Sequence, residues 1–87
     1  MANFMAVHTL PITKEQAIEM SKQTEGKMPA GMVWKQTYCD FNSHKFFCDW
    51  EAPNREALEA YFKATNMPFE AIFPVELFEV ASRSFKG

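Results

Sequence analysis

The chain combines stretches of alternating hydrophobicity with two stretches of helical period. Three segments alternate apolar and polar side chains, which is typical of strands with one buried face: Asn3–Leu10, Met32–Asp40 and Lys45–Ala52. Residues 13–23 and 55–65 instead repeat apolar side chains at the spacing of a helix. The segment Phe73–Phe85 is predicted to be a final strand with an irregular tail. The pattern therefore predicts four strands and two helices.

Local signals mark the ends of both predicted helices. Thr13 followed by Gln16 has the spacing of a capping box, and Gly26 is the expected stop of the first helix. Pro53 and Asn54 are expected to open the second helix. These signals separate the helices cleanly from the neighbouring strands.

The element order βαββαβ indicates an α+β fold of the ferredoxin-like type. Right-handed crossovers place both helices on one face of a four-stranded antiparallel sheet. The length of 87 residues fits a single domain spanning 1–87. The other sheet face is expected to be open to a partner or a ligand.

Composition and charge limit the range of functions that can be expected of the protein. The net charge is −2 and there is no basic run, so a nucleic-acid partner is not expected. No apolar run reaches the ~20 residues of a membrane span, and the N-terminal residues do not resemble a signal peptide. A cytoplasmic protein with two free cysteines is expected. Nine Phe, two Trp and two Tyr are many for so small a core, which favours a homodimer.

The register of the central hairpin decides which side chains meet. A three-residue loop places Lys35 near Asp49 or Glu51, and this charge pairing favours that register. A two-residue turn would invert the pairing.

The favoured register predicts an aromatic cluster with one cysteine inside it. Cys48 would lie within the cluster, and Cys39 would point away from it. The cluster consists of Trp34, Tyr38, Phe46 and Trp50.

Possible metal ligands are concentrated in the segment CDFNSHKFFCDW, residues 39–50. Its candidates are Cys39, Asp40, His44, Cys48 and Asp49, and His8 on the first strand is predicted to lie near Cys48 or Asp49. Thiolate, imidazole and carboxylate groups suit nickel or zinc better than magnesium or calcium. The Cys-x8-Cys spacing is no standard zinc motif, so an ordinary hairpin with a buried Cys48 stays open as an alternative.

Residues 33–75 resemble a family of small ferredoxin-like domains of unknown function whose characterised representative is a nickel-binding protein. The match is carried by Trp34 and Tyr38 on the first hairpin strand and by Lys45 and Phe47-Cys48 on the second. It continues through the EAP of residues 51–53, the NMPFEAI of residues 66–72 and the opening strand FMAVHTLP. The resemblance implies a cytoplasmic homodimer that binds a transition metal such as nickel, without an established enzymatic activity.

Two functional hypotheses follow, with a dimeric interaction module that has no small ligand as a third. The leading one is transition-metal binding, with His8, His44 and Cys48 as first-choice ligands and Cys39 and Asp40 as second choices. The alternative is a dimeric small-molecule binder or monooxygenase-like enzyme with an apolar pocket on the sheet face. The aromatic cluster Trp34, Tyr38, Phe46 and Trp50 would line that pocket.

Overall fold

A computed structural model describes residues 2–86 and has the ferredoxin-like α+β architecture expected from the sequence. The sheet has four antiparallel strands in the order β2-β3-β1-β4, and a separate two-stranded hairpin follows it. The elements in chain order are β1 (Ala2–Thr9), α1 (Lys14–Thr24), β2 (Val33–Asp40), β3 (Lys45–Ala52), α2 (Arg55–Ala64), β4 (Ala71–Pro74), β5 (Leu77–Glu79) and β6 (Ser84–Lys86).

The prediction of one long final strand was wrong. β4 ends at Pro74, whose ring nitrogen has no hydrogen to donate to a sheet. The amide of Val75 still bonds to the Asn3 carbonyl at 3.0 Å, after which the chain leaves the sheet. The remaining residues form the β5–β6 hairpin, in which the rings of Phe78 and Phe85 pack with centroids 5.0 Å apart.

The helix signals are confirmed. The Thr13 hydroxyl accepts from the Gln16 amide at 3.2 Å, and the Gln16 side chain accepts from the Thr13 amide at 2.8 Å. The helix ends at Thr24, shortly before Gly26, which has a φ of 75°. At the start of α2, the Asn54 side chain accepts from the Ala57 amide at 2.8 Å.

The core lies between α2 and the helix-covered face of the sheet. Leu58 and Phe62 of α2 are at most 2% exposed and pack on this face. The buried sheet residues beneath them include Phe4, Ala6, Cys48, Trp50, Ala52 and Ile72. In contrast, α1 buries none of its residues completely. α1 therefore covers the sheet without closing onto it, and a chamber of about 1160 Å³ lies between them.

The hairpin register differs from the one that the sequence favoured. Asp40 pairs with Lys45, so four residues connect the strands, and a β-bulge between Trp34 and Gln36 shifts the pairing by one. The predicted pairing of Lys35 is nevertheless confirmed, because its ammonium lies 3.9 Å from Asp49 and 4.0 Å from Glu51.

The bulge splits the predicted aromatic cluster. Trp34 still pairs with Trp50, but Tyr38 pairs with Phe47 on the opposite face of the sheet. The same shift brings Cys39 onto the face that carries Cys48, so the expectation that the two cysteines point apart was wrong.

Neither helix in the described part of the chain, residues 2–86, has the length and apolar character needed to cross a membrane.

Candidate functional site

The chamber between α1 and the sheet gathers most of the chemically interesting side chains. Its floor is formed by β1, β2 and β3, and its roof by α1 and the loop that follows it. The floor residues that line it include His8, Trp34, Thr37, Cys39, Phe46, Cys48 and Trp50. Thioethers and aliphatic side chains complete the walls, from Leu10, Ile12, Ile18, Met20, Met28, Met32 and Met67.

His8 is held in one orientation on this floor. Its side chain is 3% exposed, and its Nδ1 lies 2.8 Å from the Pro68 carbonyl oxygen. Because a carbonyl can only accept, Nδ1 carries the proton and Nε2 keeps its lone pair. The ring also meets Phe62 edge-on, with centroids 5.0 Å apart. Burial lowers the pKa of His8, so the imidazole is neutral at neutral pH.

Cys48 occupies the middle of the floor. It pairs with Ala6 on one side and with Thr37 on the other, two pairs along the ladder from the row that contains His8 and Cys39. Cys48 is thus a diagonal neighbour of both residues, at a Cα separation of roughly 7–8 Å in regular ladders. Burial raises the pKa of the Cys48 thiol to about 11, partly offset by a hydrogen bond from Thr37.

Cys39 lies at the exposed rim of the same face. Both Cys39 and His8 pair with Phe46, whose buried ring stands between them in the row. The Cys39 sulfur lies 4.0 Å from the carbonyl oxygen of Thr37, a neighbour of Cys48. Both sulfurs therefore interact with the same threonine, Cys39 with its carbonyl oxygen and Cys48 with its side chain.

Asp40 and His44 belong to the hairpin tip rather than to the chamber lining. One oxygen of Asp40 accepts from the amides of Asn42 and Ser43, at 3.1 and 3.2 Å, which is the geometry of an Asx turn. His44 is exposed with a φ of 57°, and its carbonyl accepts from the Leu10 amide at 2.9 Å. Both residues shape the turn.

The five predicted metal ligands therefore fall into two sets. His8, Cys39 and Cys48 line the chamber, while Asp40 and His44 occupy the tip. Within residues 2–86, no three His, Cys, Asp or Glu side chains are grouped closely enough to hold a metal ion. The donor types of the chamber set suit a borderline metal, but a preformed three-ligand site does not occur in this part of the chain.

The predicted aromatic pocket is placed differently from the expectation. Trp34, Phe46 and Trp50 line the chamber, but Tyr38 is 61% exposed on the other face and does not. The chamber is also formed within one chain, between its sheet and α1.

Sequence reasoning missed several lining residues for which local signals existed. Phe62 follows Leu58 at the i+4 spacing of a buried helical stripe. Met28 and Met32 flank the turn PAG and pack on the core from the loop after α1. Their apolar side chains at both ends of a Pro-Gly turn could have marked a loop that folds inward.

The open face of the sheet carries an apolar centre with charged ends. Tyr38, Phe47 and Val7 form one cross-strand row, and Met5 and Phe73 belong to the next. Tyr38, Phe47 and Phe73 are exposed. Lys45 beside Glu70 lies at one end of the face, and Lys35 beside Glu51 lies at the other. Such a patch is typical of a protein interface.

Comparison with known proteins identifies a family whose model matches this chain. The model of the family described as nickel responsive protein SCO4226-like matches residues 4–75. The crystal structure of SCO4226 from Streptomyces coelicolor A3(2) superposes with a TM-score of 0.73 and 24% sequence identity, covering 87% of this chain and 98% of that one. At this identity the structural likeness concerns the fold. No curated protein matches the chain.

Proposed function

Because the chain belongs to the SCO4226-like family of nickel responsive proteins, we propose that it binds a transition-metal ion, nickel or zinc, in the chamber. The proposed role is binding rather than catalysis. The proposed ligands are His8, Cys48 and Cys39. The alternative ligands are the two residues of the hairpin tip, Asp40 and His44.

The observation that carries the proposal is the fixed orientation of His8. Histidines that bind metals usually donate their second ring N–H to a carbonyl or carboxylate, which fixes the tautomer and aims the other nitrogen. The bond to Pro68 has this form, and it leaves Nε2 as a neutral donor atom. The lowered pKa of His8 keeps protons from competing for that atom at neutral pH.

Cys48 is the natural second ligand because it is diagonal to both His8 and Cys39. Its thiol must lose a proton to bind a metal, and with a pKa of about 11 that proton is held firmly. Affinity for the metal should therefore rise about tenfold for each pH unit between pH 6.5 and 8.5. A third donor requires movement of the exposed Cys39 side chain or a water molecule.

The proposal includes a cytoplasmic homodimer. Two unpaired cysteines suit a reducing compartment. The dimer would form through the open sheet face, where the exposed side chains of Tyr38, Phe47 and Phe73 otherwise contact water.

A nickel and zinc titration by isothermal calorimetry tests the metal proposal. His8→Ala and Cys48→Ser should each lower the affinity at least tenfold, as loss of one ligand does. His44→Ala and Asp40→Asn are the matched controls and should bind as the native chain does. If the tip variants lose the metal instead, the chamber assignment is wrong. If the native chain binds neither ion, metal binding itself is refuted.

Light scattering after size exclusion tests the dimer. Phe47→Asp should convert the dimer to a monomer, because the charge would lie in the centre of the proposed interface. Ala60→Asp, on the exposed side of α2, is the control and should leave the mass unchanged. A monomeric native chain at micromolar concentration would overturn the proposal.

A further inference from the structure

We propose that the chamber also binds an apolar carboxylate, with its hydrocarbon body along the sheet floor and its carboxylate at the Trp34–Trp50 end. The inference concerns metal-free protein and does not depend on the metal proposal. It follows from three features of the chamber: its apolar walls, an indole N–H without a partner and a group of lysines at one end.

The walls suit a flexible apolar molecule. The chamber volume of about 1160 Å³ is somewhat larger than typical ligand sites, which are roughly 300–1,000 Å³. Four methionines line it, and their unbranched side chains adapt to different shapes. They are Met20, Met28, Met32 and Met67. Ile18 of α1 is 56% exposed although it lines this space, so an occupant would cover apolar surface that the chain leaves accessible.

The polar end is indicated by Trp50. Its side chain is 4% exposed, yet its Nε1 has no hydrogen-bond partner. A buried N–H without an acceptor is unfavourable and uncommon in folded proteins. The neighbouring indole of Trp34 differs, because its Nε1 donates to the Thr37 hydroxyl at 2.7 Å. Nε1 is not accessible to solvent in the free protein, so an oxygen of a bound molecule would supply the missing acceptor once neighbouring side chains of the chamber move aside.

The charges at this end favour an anion. Trp50 pairs with Trp34 at the start of β2, which the chain reaches directly from the end of α1 and the following loop. Lys22 and Lys27 of these segments line the chamber, against one acid, Glu25, while the ammonium of Lys35 pairs with Asp49 and Glu51 on the open face of the sheet. Lys22 and Lys27 form no ion pair within residues 2–86.

Calorimetry and tryptophan fluorescence with three probes of equal chain length test the inference. Dodecanoate, dodecanol and dodecyltrimethylammonium are titrated into protein treated with a chelator, below the micelle concentrations of the two ions and below the solubility limit of the alcohol. The native chain should bind dodecanoate about tenfold more tightly than dodecanol, as a charge-assisted hydrogen bond would give. It should bind the ammonium compound weakest of all. Equal affinity for dodecanoate and dodecanol would overturn the assignment of the carboxylate.

Two variants test the polar end. Trp50→Phe keeps a ring and removes the orphan N–H, so it should lower dodecanoate affinity several-fold more than dodecanol affinity, while the smaller ring in the core lowers the melting temperature of the free protein. Lys27→Gln should also weaken dodecanoate and leave dodecanol unchanged. Lys63→Gln is the control, because Lys63 lies on the exposed side of α2. Unchanged dodecanoate affinity in both test variants would contradict the proposal.

A third variant tests the location. Ala17 is half-buried on the α1 side of the chamber, so Ala17→Trp should obstruct part of the space and weaken binding of every probe. Binding of dodecanoate at native affinity in a folded Ala17→Trp protein would place the molecule elsewhere and refute the chamber.

Discussion

The two cysteines should differ sharply in reactivity, and the structure gives the magnitude. Burial raises the pKa of Cys48 from the ordinary 9.0 to about 11, which lowers the thiolate fraction at neutral pH about 100-fold. A more basic thiolate is also a better nucleophile. The higher pKa therefore raises the rate constant of the Cys48 thiolate roughly 6–10-fold, which offsets part of the decrease in thiolate fraction. The net effect of ionisation is alkylation about tenfold slower than for an ordinary thiol, and the 6% exposure of Cys48 slows it further.

The assay is alkylation by iodoacetamide at pH 7.5, followed by mass spectrometry. Cys39→Ser leaves Cys48 as the single thiol, and Cys48→Ser leaves the exposed Cys39. Folded Cys48 should react at least tenfold more slowly than the same thiol in urea, whereas Cys39 should react at similar rates in both. Saturating nickel should slow Cys48 further if it is a ligand.

Equal alkylation rates of folded and denatured Cys48, with circular dichroism showing the chain to be folded, would contradict the burial of this thiol. Such a result would mean that the Cys48 thiol is not buried and that its pKa is not raised. Cys48 would then not be a buried residue of the chamber floor.

Three further predictions concern stability. Because burial lowers the pKa of His8, the unfolded chain binds more protons than the folded chain below pH 6.5. The free energy of unfolding should therefore fall as the pH drops through that value. Urea titrations at pH 7.5 and 5.5 should show this fall, and it should be smaller in His8→Gln. Leu58→Ala should cost about 2–5 kcal/mol and exposed Ile18→Ala about 0.5 kcal/mol or less in urea unfolding, and equal costs would contradict the core described here. Gly26→Ala should cost about 1–2 kcal/mol in thermal unfolding, from its φ of 75° alone, because nothing lies within 4 Å of the added Cβ; a cost above roughly 3 kcal/mol would reveal a clash.

The sequence was sufficient for the parts of the fold that depend on local chemistry. The capping box of Thr13 and the cap of Asn54 act over three residues, so their sequence spacing determines their hydrogen bonds. The element order then restricts the topology through the handedness of crossovers. Pro74 also carried a usable signal, since a proline at the end of a short strand marks a boundary.

The site was harder to predict because it depends on a single inserted residue. The bulge at Lys35 changes the face of every following residue of β2, which moves Tyr38 out of the chamber and Cys39 into it. The charge pairing of Lys35 could not distinguish the regular register from the bulged one, because Lys35 reaches Asp49 and Glu51 in the bulged register too. The spacing between α1 and the sheet likewise depends on packing across the whole chamber rather than on a local pattern.

Nickel K-edge X-ray absorption of the loaded protein shows directly whether His8 and Cys48 hold the metal in the chamber. At least one sulfur and one imidazole nitrogen should be bound to nickel, with the sulfur contribution reduced in Cys48→Ser, where only Cys39 remains, and unchanged in His44→Ala. A spectrum with oxygen and nitrogen ligands only, unchanged in Cys48→Ser, would contradict this assignment.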